Sequence, residues 1–142
     1  MSKLHIFILN GPNLNMLGKR EPSVYGLNNL SHLIQDLKSK FSDVVVSDCQ
    51  SNDEGELINL IQDYGMRCDG IVFNPGGYAH TSVAIRDAVA SVSAKVIEVH
   101  ITNIHAREEF RRTTIVGGAC EAVISGFGIR GYELAVDHLL QL

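Results

Sequence analysis

The stretch Leu4-His-Ile-Phe-Ile-Leu-Asn-Gly-Pro-Asn-Leu-Asn15 changes character near its middle. Residues 4–9 form an apolar run with the length of a short buried strand. The segment that follows, 10–26, is too rich in Gly, Pro and Asn for regular structure, and loops of this length are usually functional. It carries Arg20 and Tyr25, and a nearby cation favours the phenolate form of a tyrosine. The stretch therefore predicts a buried strand that leads into an active-site lid carrying a base.

Beyond this unit, strand-like runs alternate with helix-like patterns. Strands are predicted at 4–9, 44–46, 70–73, 95–99 and 122–125, and helical patterns run over 27–41, 57–64, 83–92 and 132–140, with Thr81 or Ser82 as the cap of the third. A capping box at 51–54 and a C′ residue at Gly65 are predicted to bound the second helix. Strands connected through helices form parallel sheets that are covered on both faces. The sequence therefore predicts one catalytic domain, 1–142, of the α/β class: a flavodoxin-like doubly wound five-stranded parallel sheet with helices on both faces.

The composition excludes several classes of protein. The chain of 142 residues has a net charge of −4, which argues against non-specific nucleic-acid binding because that needs a basic surface. No apolar stretch approaches the roughly 18 residues of a membrane span, so no membrane partner is expected. Cys49, Cys68 and Cys120 form no disulfide framework or CxxC motif. They indicate a reducing compartment, and we expect a cytoplasmic protein.

Polar loops follow the predicted carboxyl ends of three strands, where ligands of doubly wound sheets bind. They are the Tyr25 loop, the segment 74–82 and the segment 98–107. Glu98 and His100 are two residues apart on a strand, so their side chains share a face. The carboxylate can hold one imidazole nitrogen and leave the other for a substrate. The alternative is a buried histidine with incidental polar contacts.

Two further features of these loops have both a functional and an ordinary interpretation. Gly76 and Gly77 permit unusual dihedrals and a close approach of the backbone to a ligand, or they make a common strand-to-helix turn. Arg107, Arg111 and Arg112 form a basic cluster, with the first two on one face if the stretch is helical. In the functional interpretation the guanidinium groups of this cluster bind anions or hydroxyls. In the ordinary interpretation the neighbouring glutamates neutralise the cluster at the surface.

The sequence 126–131 matches GxGxxG between a strand and a helix, but we do not interpret it as a dinucleotide site. It has no following strand and no acidic residue about twenty positions later, so tight packing of the last helix is the better interpretation. Glu98, His100 and His105 are suitable types of metal ligand, yet their spacing matches no established site. We therefore expect neither a metal nor another cofactor.

Taken together, four motifs closely resemble type II 3-dehydroquinate dehydratase over nearly the whole chain. They are Asn10-Gly-Pro-Asn-Leu-Asn with Arg20-Glu-Pro and Tyr25-Gly26, then Asn74-Pro-Gly-Gly-Tyr-Ala-His-Thr-Ser82, Glu98-Val-His100-Ile-Thr-Asn and Arg107-Glu-Glu-Phe-Arg-Arg112. The resemblance implies dehydration of 3-dehydroquinate to 3-dehydroshikimate, in the shikimate pathway or in quinate breakdown, without a cofactor.

The resemblance also implies a division of chemical roles. Tyr25 would remove a proton from C2 of the substrate, and Arg20 would lower the pKa of Tyr25. Asn13 would stabilise the enolate through a water molecule. His100, held by Glu98, would protonate the hydroxyl that leaves C1.

The remaining site residues implied by the resemblance bind the substrate or a neighbouring subunit. The substrate-binding positions are Asn74, Gly76, Gly77, His80, Ile101, Thr102, Arg107 and Arg111, with the backbone of Ile101 and Thr102 on the carboxylate. Asp87 would reach the site of a neighbouring subunit in a dodecamer of four trimers. Two departures from the family pattern, Ala79 and Asp53, fall outside the catalytic positions.

Three rival functions remain at this point. A flavin or nucleotide module would use the same fold, and a non-catalytic assembly protein would not need the Arg20–Tyr25 and Glu98–His100 pairs. A lyase with a lysine Schiff base would need a desolvated lysine. Lys19 is the lysine in the predicted lid, and nothing in its sequence surroundings would desolvate it.

Overall fold

A computed structural model describes residues 3–19 and 29–142, and they contain one five-stranded sheet. Its strands are β1 (His5–Asn10), β2 (Val45–Gln50), β3 (Gly70–Asn74), β4 (Lys95–His100) and β5 (Ala122–Ser125). Every pairing is parallel, and the order is β2-β1-β3-β4-β5. This is the order of flavodoxin-like doubly wound sheets, so the predicted fold class is confirmed.

Four α-helices of the described residues cover both faces of this sheet. They are α1 (Leu30–Lys40), α2 (Glu54–Gly65), α3 (Val83–Ala90) and α4 (Arg130–Leu139). Helices α1 and α4 pack on the face that includes Ile8 and Val72, whereas α2 and α3 pack on the face that includes Phe7 and Phe73. Successive residues of a central strand thus enter opposite cores, which explains why these strands are apolar at nearly every position. None of these helices has both the length and the apolar composition needed to cross a bilayer.

The second strand extends well beyond the predicted 44–46. Val45 to Gln50 pairs residue by residue with His5 to Asn10, although Ser47 and Asp48 are polar. Polar residues are tolerated because β2 lies at the edge of the sheet and is only partly buried. Backbone pairing with β1 decides its length, and a hydrophobic pattern does not record that pairing.

The predicted capping box at the start of α2 is wrong. Asp53 is the N-cap, and its carboxylate accepts a hydrogen bond from the Gly55 N–H at 3.0 Å. Ser51 Oγ instead accepts from the Asp53 N–H. The Glu54 carboxylate accepts from the Ser82 hydroxyl and so connects the starts of α2 and α3. Asp53, one of the two residues that differ from the family pattern, therefore has a structural role as the N-cap of α2.

Two glycines are explained by close packing. Gly65 is the last residue of α2 and not a left-handed C′ residue, and a Cβ there would lie 2.5 Å from the Val92 Cβ. A Cβ at Gly131 would lie 3.2 Å from Val99 and 3.4 Å from Ile124. Gly131 thus lets α4 approach β4 and β5 closely, in agreement with the packing interpretation of the GxGxxG sequence.

Candidate active site

An open cavity of about 400 Å³ lies beyond the carboxyl ends of β1, β3 and β4. Its volume is within the usual range for sites that bind small molecules. The loops that follow these three strands line it together, as expected for a parallel sheet. The predicted site residues that line the cavity are Asn13, Asn74, Gly76, Gly77, His80, His100, Ile101, Thr102, Arg107 and Arg111.

Glu98 and His100 form a buried pair at the end of β4. The Glu98 side chain is 0% exposed, and its Oε2 lies 2.7 Å from His100 Nε2. His100 reaches the cavity, whereas Glu98 lies behind it and does not line the cavity. Their alternate positions on β4 place both side chains on the same face of the strand. The carboxylate thus engages one ring nitrogen, and Nδ1 remains for another partner.

A second imidazole lies beside the first. His80 Nδ1 donates a hydrogen bond to the Thr113 carbonyl at 2.9 Å, because a carbonyl oxygen can only accept. The His80 and His100 rings are nearly parallel, with centroids 5.9 Å apart. Two ring nitrogens with different fixed partners therefore lie at one wall of the cavity.

The loop after β1 is held in shape by groups from the end of β2 and from the loop that follows it. Asn13 has a φ of 74°, a left-handed conformation that asparagine tolerates better than most residues. Its backbone N–H donates to Asn52 Oδ1 at 3.0 Å, and Gln50 Nε2 donates to the Gly11 carbonyl at 3.1 Å. Asn13 is thereby fixed at the edge of the cavity.

The two glycines after β3 have different roles. Gly76 has a φ of +60°, and a Cβ on it would lie 2.9 Å from the Pro12 carbonyl oxygen. It therefore needs to be glycine because two loops meet there. A Cβ on Gly77 would meet nothing within 4 Å, so Gly77 leaves open space beside the cavity.

Residues 107–111 do not form one helix, so Arg107 and Arg111 have no shared helical face. A single 3₁₀ turn, Glu109–Arg111, contains Arg111 but not Arg107. Glu108 lies between the two cations instead, with its Oε1 2.9 Å from Arg111 Nε and 3.7 Å from Arg107 Nε. A hydrogen bond from its own backbone, and then Arg111, hold the pKa of Glu108 below its ordinary value. Glu108 thus partly neutralises the cluster, while both arginines still line the cavity.

Sequence reasoning missed a buried polar cluster that supports Asn74. The Tyr132 hydroxyl donates to Asn10 Oδ1 at 2.5 Å and accepts from Asn74 Nδ2 at 2.9 Å. Asn74 Oδ1 accepts from the Gly76 N–H. Burial raises the pKa of the Tyr132 phenol above its ordinary value, so Tyr132 stays neutral and is not a base. No spacing signal could reveal this contact, because Tyr132 is 122 residues from Asn10 in sequence.

Thr114 was also missed. Its hydroxyl lies 3.0 Å from Glu98 Oε1, on the side of the carboxylate away from His100. Cys120 is another neighbour of Glu98. Burial, followed by the charge of Glu98, raises the pKa of the Cys120 thiol to about 12, so it offers no thiolate nucleophile near neutral pH.

The other predicted positions are either outside the described residues or do not line the cavity. Arg20 and Tyr25 lie outside the described residues. Asp87 is exposed on α3 and does not line the cavity, and Arg112 is exposed and does not line it either. Within 3–19 and 29–142, no three His, Cys, Asp or Glu side chains are grouped to hold a metal ion, and that includes Glu98, His100 and His105.

These features define the class of the protein. A buried carboxylate–imidazole pair, opening on a polar cavity at the carboxyl edge of a doubly wound sheet, is suited to acid–base chemistry on a small molecule.

The comparison with known proteins gives the family. The family model "Dehydroquinase class II" matches residues 4–140. The 3-dehydroquinate dehydratases of Bacillus pumilus and Nitrobacter winogradskyi are 47% and 50% identical, over 96% and 94% of this chain and 94% and 88% of their own. The crystal structure of the type II dehydroquinase from Butyrivibrio crossotus matches with a TM-score of 0.94 and 46% identity, over 99% of both chains. The chain belongs to the type II dehydroquinase family, a family of hydro-lyases.

Proposed function

We propose that this protein converts 3-dehydroquinate to 3-dehydroshikimate by stepwise elimination through an enolate, and that the single domain 1–142 carries the activity. Family membership supports the reaction. The observation that carries the mechanism is the buried Glu98–His100 pair, 2.7 Å apart, at a cavity lined by asparagine, histidine and arginine. The activity serves the shikimate pathway or quinate catabolism.

In the first step Tyr25, as phenolate, removes the proton from C2. This proton lies next to a ketone, so its loss gives an enolate whose charge is spread onto oxygen. A tyrosine has an ordinary pKa of about 10, and lowering it toward 7 requires about 4 kcal/mol of differential stabilisation. We assign that task to Arg20, because a desolvated opposite charge supplies energy of this order.

The enolate needs hydrogen-bond donors that are in place before it forms. We assign Asn13, acting through a water molecule, to this task. The support is its fixed place at the edge of the cavity, with its backbone bonded to Asn52 and a left-handed φ of 74°. Donors from side chains and backbone suffice for an enolate, so the proposed reaction uses no metal or organic cofactor.

In the second step His100 acts as the acid. The enolate re-forms the ketone, the C1–O bond breaks, and the proton of His100 goes to the departing hydroxyl, which leaves as water. As the ketone re-forms, the electron pair of the enolate moves from the C2–C3 bond and forms the double bond between C1 and C2 of the product. Glu98 fixes the ring and stabilises its protonated form before transfer.

The remaining residues hold the substrate. We assign the hydroxyls to Asn74, His80 and Arg111, and the carboxylate to the backbone of Ile101 and Thr102. Gly76, Gly77 and Arg107 complete the wall. The support is that all of these residues line the cavity and that Arg107 and Arg111 bring positive charge to it.

We also propose a homo-oligomer, a dodecamer of four trimers, in which Asp87 reaches a neighbouring site. The exposed position of Asp87 on α3 supports this. The three free cysteines support a cytoplasmic location. Sedimentation of the purified protein tests the assembly, and a monomer would contradict it.

The function is tested by mixing purified protein with 3-dehydroquinate and recording the ultraviolet absorbance of the conjugated enone product. Turnover should persist after treatment with EDTA. It should also persist after borohydride is added with substrate and then removed, provided that fresh substrate is supplied. Permanent inactivation with a substrate-sized mass increment on a lysine would replace the enolate mechanism with a Schiff base.

A further inference from the structure

We propose that Thr114 is a positioning residue for the acid: its hydroxyl fixes the buried Glu98 carboxylate that in turn holds His100. The inference rests on the proposed function of His100 for its kinetic consequence. Thr114 does not line the cavity, so its proposed effect is exerted through Glu98.

The first support is the way in which Glu98 is surrounded. The Glu98 side chain is 0% exposed, so no bulk water solvates it, and a buried charge requires hydrogen-bond partners. Its Oε2 lies 2.7 Å from His100 Nε2, and its Oε1 lies 3.0 Å from the Thr114 hydroxyl. Each carboxylate oxygen therefore has one side-chain partner, and Thr114 fixes the oxygen that His100 does not contact.

The second support is the single hydrogen of the Thr114 hydroxyl. The Gly117 N–H donates to Thr114 Oγ at 3.0 Å, so that oxygen is already an acceptor. Its hydrogen has two candidate acceptors, Glu98 Oε1 at 3.0 Å and the Ala79 carbonyl at 3.3 Å. The carboxylate is both nearer and charged, and charge-assisted bonds are the stronger ones. The hydroxyl therefore donates to Glu98.

The third support is that Thr114 itself is firmly held. A Cβ on Gly117 would lie 2.5 Å from Thr114 Cγ2, so glycine there allows the amide to approach the hydroxyl. On the other side the Ile115 N–H donates to the Ala79 carbonyl at 2.7 Å. The preceding Thr113 carbonyl accepts from His80. Residues 113–115 thus connect both imidazoles of the site to one short segment.

The consequence is a three-membered chain in which the hydroxyl orients the carboxylate and the carboxylate orients the acid. Without the hydroxyl, Glu98 Oε1 would be a buried, unpaired anionic oxygen, and the carboxylate would be free to rotate away from His100. The cost of a hydrogen bond lost to a charged group predicts a fall in kcat of about tenfold to a hundredfold. Substrate contacts are unchanged, so KM should change little.

The experiment compares Thr114→Val, which keeps the shape and removes the hydroxyl, with Thr114→Ser, which keeps the hydroxyl. The valine variant should have a kcat at least about tenfold below that of the wild type, with little change in KM. The serine variant should keep most of the wild-type kcat. If the valine variant does not fold, Thr114→Ala measured against Thr114→Ser makes the same comparison. Equal kcat in variants with and without the hydroxyl would overturn the proposal.

A double-mutant cycle with Glu98→Gln separates positioning from general loss of structure. If Thr114 acts through Glu98, Thr114→Val should lower kcat by a much smaller factor in the Glu98→Gln background than in the wild type. If Thr114→Val lowers kcat by the same factor in both backgrounds, Thr114 acts independently of Glu98 and the proposal fails.

A readout that needs no turnover separates this inference from the proposed function. Nitrogen NMR of the histidine rings should show the His100 signals shifted in Thr114→Val and restored in Thr114→Ser. If the wild type does not turn over 3-dehydroquinate, the proposed function fails while the ring signals still decide the role of Thr114. Unmoved His100 signals in the valine variant would overturn that role.

Discussion

The carboxyl ends of β1, β3 and β4 carry two polar clusters that differ in charge. The acid cluster, Glu98, His100 and Thr114, contains a carboxylate and an imidazole, and His100 reaches the cavity. The amide cluster is neutral and consists of Asn10, Asn74 and Tyr132. Its phenol and Asn10 are wholly buried, and among its members Asn74 lines the cavity.

The two clusters also differ in how completely they are satisfied. Both oxygens of Glu98 have partners, whereas Asn10 Nδ2 is buried without a hydrogen-bond partner among the described residues. An unpaired carboxylate oxygen costs more than an unpaired amide hydrogen. We infer that the acid cluster holds a charge at the cavity and that the amide cluster holds Asn74 in place. Substitutions in the acid cluster should therefore lower kcat, whereas substitutions in the amide cluster should lower the stability of the protein and raise KM.

The largest effect is expected outside both clusters, at Tyr25. Tyr25→Phe should lower kcat by about 10²–10⁴-fold or more, because it removes the proposed base. Substrate binding should be largely kept, as measured by calorimetry. A variant that retains a tenth of the wild-type kcat would remove Tyr25 from the mechanism.

A change at Arg20 should move a titration as well as a rate. Arg20→Ala removes the cation that favours the phenolate, so the pKa of Tyr25 should rise. The base works when deprotonated, and the acidic limb of the kcat–pH profile should therefore shift to higher pH while kcat falls. A lower kcat with an unmoved limb would assign Arg20 to substrate binding.

Within the acid cluster, Glu98→Gln should lower kcat by about tenfold to a hundredfold, since it removes a charge-assisted hydrogen bond from His100. The amide keeps the shape of the carboxylate, so the thermal midpoint should change little. Steady-state kinetics and a melting curve on one sample give both values. If the thermal midpoint of Glu98→Gln falls markedly along with kcat, the acid cluster also stabilises the fold, and the proposed difference between the two clusters is contradicted.

Within the amide cluster, Tyr132→Phe should reduce the free energy of unfolding by about 1–3 kcal/mol, because Asn74 Nδ2 and Asn10 Oδ1 lose their partner inside the protein. KM should rise as Asn74 becomes less fixed, with kcat nearly unchanged. Denaturant unfolding and kinetics measure these effects. The control is Tyr78→Phe, whose hydroxyl makes no hydrogen bond within the described residues and should change neither value.

The amide cluster also shows where sequence reasoning stops. The five parallel strands followed from hydrophobic periodicity, and the shared edge of the loops after β1, β3 and β4 followed from sheet topology. Tyr132 could not be found this way, because its partners Asn10 and Asn74 are distant in sequence and its own helix pattern is that of an ordinary buried residue. Thr114 was missed for the same reason, since its contact to Glu98 crosses from an irregular segment to β4.

Two expectations drawn from local sequence patterns are not met, for different reasons. Ser51 fits a capping box by spacing, yet Asp53 is the cap and Glu54 is engaged by Ser82 of another element. A shared helical face for Arg107 and Arg111 required a helix, but the stretch forms only the 3₁₀ turn Glu109–Arg111, and Glu108 pairs with both arginines. At α2 a tertiary contact from Ser82 engages the glutamate that the local capping rule would use, whereas the contacts of Glu108 are themselves local.

The proposed mechanism divides proton removal and loss of water into separate steps carried by different residues. It is tested most directly with His100→Ala in deuterium oxide, by following deuterium at C2 of unreacted 3-dehydroquinate together with enone formation. In His100→Ala, enone formation should slow far more than deuterium exchange, whereas Tyr25→Phe, the matched comparison, should lose both. If His100→Ala loses exchange and elimination to the same extent, His100 is not the acid of a later step, and the assignment is contradicted.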